Sequence, residues 1–493
     1  MSTTDVDTGV DSGRPHDPVP DEPASRLAAQ VARRIEADVL RRGWPVGESL
    51  GAEPALRERF GVSRAILREA VRLVEHHQVA RMRRGPGGGL FVTAPDAAPA
   101  TGAMVIYLEY VGTSVADLMH ARSLLEPLAM RLAAERLTED GIVGLRGGIE
   151  YERTHLGEVT GEMADVWAGH RLHVLLAGLS GNPALELFVD VLIRLTSRYA
   201  ITARRIGRAE RTRVAERGFA MHRGLADAVV AGDGPRAAAL TGEYLDAETR
   251  WLEANRPAHH IAVPPTPAAA PAGDAKLAEV IAARIRDDII AGGWPVGEVL
   301  GSETDLLGRY GISRAVLREA VRLLEYHSVA RMRRGPGGGL VVTRPDPQAS
   351  IDTIALHLEY RRVGGEDLRV VRDAIELGAL DRVLDGDRLA DPATADRLRA
   401  AAVPSPDGRR AEVFHTELAE LAGNPVLVLF LRIITELFGR HAYAQDRHPP
   451  GPETTAQVHR AHERILAALL DGDTGLARHR MRRHLAALTE WWQ

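Results

Sequence analysis

GVSRAILREAVRLVEHHQVARMRRGPGGGL, residues Gly61 to Leu90, returns almost letter for letter from Gly311 to Leu340 as GISRAVLREAVRLLEYHSVARMRRGPGGGL. The constant offset between the copies makes the chain a tandem duplication, and a repeat on this scale decides architecture before any single element does. Ser63 and Ser313 stand where an N-cap belongs, opening a helix whose apolar spacing carries it to about His76 in the first copy. A shorter helix, roughly Glu53 to Phe60, precedes it and stops at Gly61; Ser302 with Asp305 offers that helix a cap in the second copy, where the first has Ala52. Helix, glycine-containing turn, helix is a helix-turn-helix. Upstream, Leu27, Val31, Ile35 and Leu40 predict a helix over about Arg26 to Arg42, ended by Gly43 and the turn Trp44-Pro45-Val46-Gly47. Downstream, Val79 to Arg84 and Leu90 to Thr93 read as two short strands around Gly85-Pro86-Gly87-Gly88-Gly89, a poor strand and a good hairpin tip. The unit is a winged helix.

Around the two units the chain reads as helix. From about Ala103 to Pro257 apolar residues recur at helical spacing, broken by Gly and Asp-Gly into roughly six helices, with little period-two alternation. The expected fold is mainly α: two winged helix-turn-helix domains, at 26–96 and 275–345, each followed by an all-α bundle, at 103–256 and 350–493. An acidic Pro/Ser/Gly-rich tail (1–25) precedes them and an Ala/Pro-rich linker (257–274) joins the modules. The bundles resemble each other far less than the wing units do, although GNPAL at Gly181 matches GNPVL at Gly423.

Composition narrows the classes. At 493 residues the chain is too long for one core, and its 45% apolar and 26% charged residues are those of a soluble globular protein. The absence of cysteine removes disulfides, thiolate zinc sites and cysteine nucleophiles. The N-terminus lacks the charged and apolar regions of a signal peptide, and no run of about 18 apolar residues exists, so a cytoplasmic protein without a membrane span is expected. The net charge is −5, yet Leu306 to Val341 carries seven arginines (309, 314, 318, 322, 331, 333 and 334) against Glu319 and Glu325. A cationic cluster inside an acidic chain is the footprint of phosphate binding.

Trp-Pro-x-Gly-x-x-Leu, then Gly-Val/Ile-Ser-Arg-x-x-Leu-Arg-Glu-Ala, then a glycine-rich wing, resembles the DNA-binding domain of GntR-family bacterial transcription regulators. The helical parts are similar to the FCD effector domain of the FadR subfamily. They carry Arg122-x-x-x-Glu126 and Arg372-x-x-x-Glu376, then Leu172-His173 and Phe414-His415 leading to Gly-Asn-Pro, and a later histidine helix ending in Gly-Asp. The resemblance covers nearly the whole chain twice; the departure is the fusion, since such regulators carry one module per chain and dimerise. It implies a ligand-controlled regulator, with repression the expected sign. The DNA contacts would be Ser63, Arg64, Arg68, Arg83, Arg84, Gly85 and Gly87, with Ser313, Arg314, Arg318, Arg333, Arg334, Gly335 and Gly337 in the second head. Two heads in one chain would read a pseudo-palindromic operator, with a dimer of chains left open.

Many FCD domains hold a divalent metal with one aspartate and three histidines. The histidines correspond to His415, His462 and His484 in the second module, where Ala411 takes the aspartate position and Glu412, three residues before His415, is the candidate carboxylate. Imidazoles with a carboxylate suit zinc, nickel or manganese. The first module keeps His173 and His222, with His170 at the place of Glu412 and Tyr244 at that of the third histidine; this reads as a decayed or metal-free site. Arg372 and Arg122 are the candidate partners of a small organic-acid effector, since a guanidinium grips a carboxylate by two parallel bonds. The alternatives weighed are a metal-dependent enzyme using the His415/His462/His484 pocket and an architectural DNA binder with inactive effector domains. No nucleophile motif, nucleotide loop or acid/base carboxylate pair accompanies the histidines, so an enzyme is not expected.

Overall fold

The computed structural model describes residues 22–156, 170–201, 208–255, 274–335, 337–386, 389, 391–403, 411–444 and 451–492, so most of the expected tail and linker lies outside it. The chain divides into two units, Met1–Pro95 and Asp96–Gln493. The first is the first head: α1 (Glu22–Arg41), β1 (Ser49–Gly51), α2 (Glu53–Phe60), α3 (Arg64–His76), β2 (Ala80–Arg83) and β3 (Gly89–Val92). Ser63 caps α3 by accepting the Ile66 amide, while Ala52 gives α2 no side-chain cap. Gly61 ends α2 at φ 62°, a left-handed conformation that strains any residue with a β-carbon, and this turn frees the chain to start α3. Val31 and Ile35 of α1, Leu56 of α2, Leu67 and Val74 of α3, and Val79, Leu90 and Val92 of the wing are all buried. The sheet has the order β1-β3-β2 with antiparallel pairing, Met82 opposite Leu90. The third strand, β1, was not expected: Ser-Leu-Gly is too short to show a period. Trp44 ties the preceding turn to the sheet, its indole N–H donating to the Thr93 carbonyl at 2.8 Å.

The second unit opens with the first bundle: α4 (Ala97–Tyr110), α5 (Val115–Arg136), α6 (Glu139–His155), α7 (His170–Leu179), α8 (Pro183–Ile201), α9 (Arg208–Val230) and α10 (Gly234–Ala254). Helix α4 starts ahead of the expected boundary at Ala103. The second head follows as α11 (Asp274–Ala291), β4 (Val299–Gly301), α12 (Glu303–Tyr310), α13 (Arg314–Tyr326), β5 (Ala330–Arg333) and β6 (Gly339–Val342), with sheet order β4-β6-β5. Here Ser302 and Asp305 do form a capping box on α12. The second bundle comprises α14 (Pro347–Tyr360), α15 (Gly365–Leu384), α16 (Pro392–Ala402), α17 (Ala411–Leu421), α18 (Pro425–Ala444), α19 (Pro452–Leu470) and α20 (Thr474–Trp492). Among the described residues no helix is long and apolar enough to cross a membrane.

The two bundles share one hydrophobic core, in which Phe188 of α8 stacks on Phe430 of α18 with ring centroids 3.9 Å apart. The Gly-Asn-Pro motifs explain the pairing. Asn182 accepts the Ala184 and Leu185 amides at the start of α8 and donates its side-chain N–H to the Asp367 carbonyl at 2.9 Å. Asn424 does the reciprocal: it accepts the Val426 amide and donates to the Asp117 carbonyl at 3.0 Å. Arg382 pairs with Asp117 at 2.7 Å, and Arg136 with Asp367 at 3.4 Å. Each bundle thus caps its own helix and grips the other with the same side chain.

The second head is seated on the first bundle. Ile106 of α4 is part of the head's buried cluster with Ala278, Ile281 and Ile285, and Tyr110 meets Trp294 edge to face at 5.4 Å. Beside them Arg198 of α8 bridges Glu109 (2.5 Å) and Asp287 of α11 (2.7 Å). Burial pushes the Glu109 carboxyl up from its ordinary value, against the pull of Arg198 and Arg286.

Candidate DNA-binding surfaces and histidine clusters

Helices α3 and α13 each bury one face and leave the other in water. On α3, Leu67, Ala70, Val71 and Val74 face the core, and Arg64, Arg68 and Arg72 are exposed; α13 repeats this with Arg314, Arg318 and Arg322 outward. Arginines four apart share a helix face, and the first turns of a recognition helix are where base edges are met. Arg64 is oriented by Glu53 of α2 at 2.6 Å, whereas Arg314 lies 3.8 Å from Glu303. The serines are engaged as caps: Ser63 accepts from Ile66 and Ser313 from Val316, both at 3.3 Å.

At the wing, Gly85 and Gly87 sit at φ 99° and 74°, and Gly335 and Gly337 at 97° and 70°, so the tip needs glycine for its backbone and not only for access. Arg83 lies over the Phe91 ring at 4.4 Å, while Arg333 donates to the Gly337 carbonyl at 2.8 Å. Arg84 and Arg334 are exposed. One stabilising contact carried no sequence signal: Glu75 accepts the Met82 amide at 2.8 Å, and Glu325 the Met332 amide at 3.0 Å, fastening wing to reading helix.

In the second bundle, α17, α19 and α20 bring His415, His462 and His484 together, all buried. Their Nε2 atoms form a triangle with edges of 3.1, 3.3 and 3.0 Å. The His415 Nδ1–H donates to Glu376 of α15, which leaves its Nε2 lone pair facing the other two rings. Burial first, and the neighbouring imidazoles second, hold His462 and His484 well below the ordinary histidine value, so both offer lone pairs. A cation with metal–nitrogen bonds of about 2.0–2.1 Å can touch three nitrogens at such separations, and a carboxylate on the far ring nitrogen is the usual support. The donor set therefore fits a divalent metal. Arg372 borders it, 3.7 Å from Glu376 and bonded to the Leu485 carbonyl at 3.2 Å. The Glu412 side chain lies outside the described residues.

The first bundle uses the same positions differently. His173 donates Nδ1–H to Glu126 (2.5 Å), His222 donates to Glu152 (2.8 Å), and the two Nε2 atoms face each other at 3.2 Å. Tyr244 packs on both rings, centroids 4.7 and 4.9 Å away, and burial raises its phenol well above the ordinary value, which keeps it a neutral hydroxyl rather than a phenolate ligand. Arg122 is fully buried and engaged by Glu126 (2.5 Å) and Glu248 (2.6 Å), leaving one terminal nitrogen, Nη2, without a hydrogen-bond partner. Glu152 and Glu248 were missed because a lone acid in an amphipathic helix looks like solvated surface. The His170 side chain lies outside the described residues. Among those described, His415, His462 and His484 are the cluster of three or more His, Cys, Asp or Glu residues arranged for a metal.

Comparison with known proteins places these features. Residues 27–92 and 277–340 match the family model described as "Bacterial regulatory proteins, gntR family", and residues 117–247 and 367–487 match that of the FCD domain. The Uxu operon regulator of Haemophilus influenzae is 27% identical over 35% of this chain and 58% of its own length. The transcriptional regulator LutR of Bacillus subtilis is 28% identical over 40% of the chain and 89% of its own. The Exu regulon transcriptional regulator of Escherichia coli is 25% identical over 43% and 82%. The chain spans little more than half the length of the first of these relatives. Among solved structures, a Streptococcus agalactiae GntR aligns over 45% of this chain and 99% of its own, with 21% identity and a TM-score of 0.34.

Proposed function

From the premise that this chain belongs to the bacterial GntR family, a transcription regulator with winged head and FCD domain each present twice, we propose that it works as a two-headed operator-binding protein controlled by a small carboxylate effector. What carries the DNA side is the arginine face of α3 and α13, left exposed while the opposite face of each helix is buried. Linking two heads in one chain raises the effective concentration of the second to roughly millimolar, so no second chain is needed to hold both half-sites. The reciprocal Asn182 and Asn424 bonds support this, because the pairing surface of the bundles is already occupied from within.

On the effector side, His415, His462 and His484 would hold a zinc-, nickel- or manganese-type ion, and Glu376 keeps His415 in the ligating tautomer. The ion would supply a Lewis-acidic anchor for a carboxylate. Arg372, ion-paired to Glu376 beside that cluster, is the nearby guanidinium for the same ligand. Arg122 is held by Glu126 and Glu248 at 2.5 and 2.6 Å, more tightly than Arg372 by Asp373 and Glu376 at 3.3 and 3.7 Å, which favours the second module as the sensing one. The shared core and the seat of the second head on α4 and α8 provide the route by which a change in the bundles reaches a head. Repression is the sign that follows if effector binding loosens the operator complex.

The test is a thermal-shift screen of small carboxylates on the full-length chain, with and without zinc, followed by DNA anisotropy. A hit is expected to need zinc, to raise the melting temperature, and to change operator affinity; by reciprocity operator DNA must change effector affinity equally. Stabilisation with no change in DNA affinity would leave an architectural binder, and turnover of the hit an enzyme.

A further inference from the structure

Compared position by position, the two heads agree in the surfaces that would read DNA and differ around them. On the reading helix every exposed residue is the same: Arg64, Ala65, Arg68, Glu69, Arg72 and Glu75 correspond to Arg314, Ala315, Arg318, Glu319, Arg322 and Glu325. The wing from Arg81 to Leu90 is identical to that from Arg331 to Leu340. Replacements within the helix fall on inward residues, such as Ile66 against Val316 and Val74 against Leu324, or on its last residue (His76 against Tyr326), far from the base-reading end.

The outward surfaces part elsewhere: Arg41 and Arg42, paired with Asp38 and Glu48, stand against Ala291 and Gly292, Ala94 stands against Arg344, and the helix before the reading helix differs as well. Helix α2 carries Glu53, Arg57, Glu58 and Arg59, balanced in charge; α12 carries Glu303, Asp305 and Arg309 and is net acidic. Arg57 is exposed and stands one turn beyond Glu53, on the face that meets Arg64 of the reading helix at 2.6 Å. Its counterpart, Leu307, is half-buried against the head's apolar cluster and offers DNA nothing. In a helix-turn-helix this helix crosses the phosphate backbone, and such contacts position without reading sequence.

Resting on the DNA-binding reading above, we infer that the operator's two half-sites carry the same bases but are gripped unequally, the first head adding a phosphate contact through Arg57 that the second lacks. The equal part comes from identical reading surfaces. The unequal part comes from Arg57, the cation on the helix next to the reading helix, which is replaced by a core leucine in the other head.

The test uses the full chain. Selection from random duplexes is expected to return a palindrome with matching halves. Salt titrations then compare two chains, one with the second head silenced (Arg314→Ala with Arg318→Ala) and one with the first silenced (Arg64→Ala with Arg68→Ala). The chain reading through its first head should show a log-affinity slope steeper by about 0.9, and adding Arg57→Leu, at an exposed position, should abolish that excess. Matching slopes, or halves of unlike sequence, would overturn the inference while leaving the regulator reading intact. Failure to enrich any duplex would overturn both.

Discussion

Arg314 and Arg64 are the residues on which the DNA account turns. A bidentate guanidinium–guanine contact discriminates by about 1–3 kcal/mol. Arg314→Ala should therefore weaken binding to a two-half-site duplex by roughly that amount, while affinity for an isolated half-site, still read by the first head, stays the same; anisotropy on the two duplexes checks this. Equal losses on both would mean that the heads do not act separately. The histidine pockets turn on one residue in the same way. Tyr244 occupies the place of a third imidazole beside His173 and His222, so Tyr244→His should raise bound zinc from one to two equivalents per chain, read by elemental analysis after gel filtration. Because burial holds His462 and His484 neutral, protons compete poorly for them. Zinc retention should stay flat as pH falls through about 6.5, the ordinary histidine value, and a decline centred there would contradict the burial argument.

At the scale of elements, the local signals were legible and the distant ones were not. Serine caps, the Gly61 and Gly311 stops and the glycine tip each act within a few residues, so the helix-turn-helix and its wing could be read from adjacent letters. Strand β1 escaped because three residues carry no periodicity, and it pairs with β3 only after the chain has passed through two helices. The histidines could be placed by their motifs, but Glu152 and Glu248 could not, since nothing local distinguishes an acid that turns inward from one that stays wet. Helix α4 is the extreme case: its apolar composition predicts burial but not that Ile106 is buried in the core of the second head. Truncating a buried isoleucine costs about 2–5 kcal/mol. Ile106→Ala should accordingly speed amide exchange in α11 and α13 while the corresponding α1 and α3 stay protected, as hydrogen-exchange mass spectrometry would show. Uniform protection in both heads would mean that the seat on the first bundle contributes nothing.

For the whole molecule, the two copies of the duplicated unit meet through a shared interior. Phe188 on Phe430, and Asn182 and Asn424 each bonding across, are contacts between copies that now lie inside one polypeptide. Once held in cis, the copies were free to diverge: the second bundle keeps three converging imidazoles, while the first fills the equivalent space with Tyr244 and two carboxylate-bound histidines. The heads stayed alike in the reading helix and wing, as a common DNA geometry would require. Native mass spectrometry of the full-length chain titrated onto a duplex with two half-sites measures this most directly. One chain per duplex, with no second chain added until the protein is in large excess, is the predicted result; a complex that assembles only with two chains, each placing a single head, would contradict it.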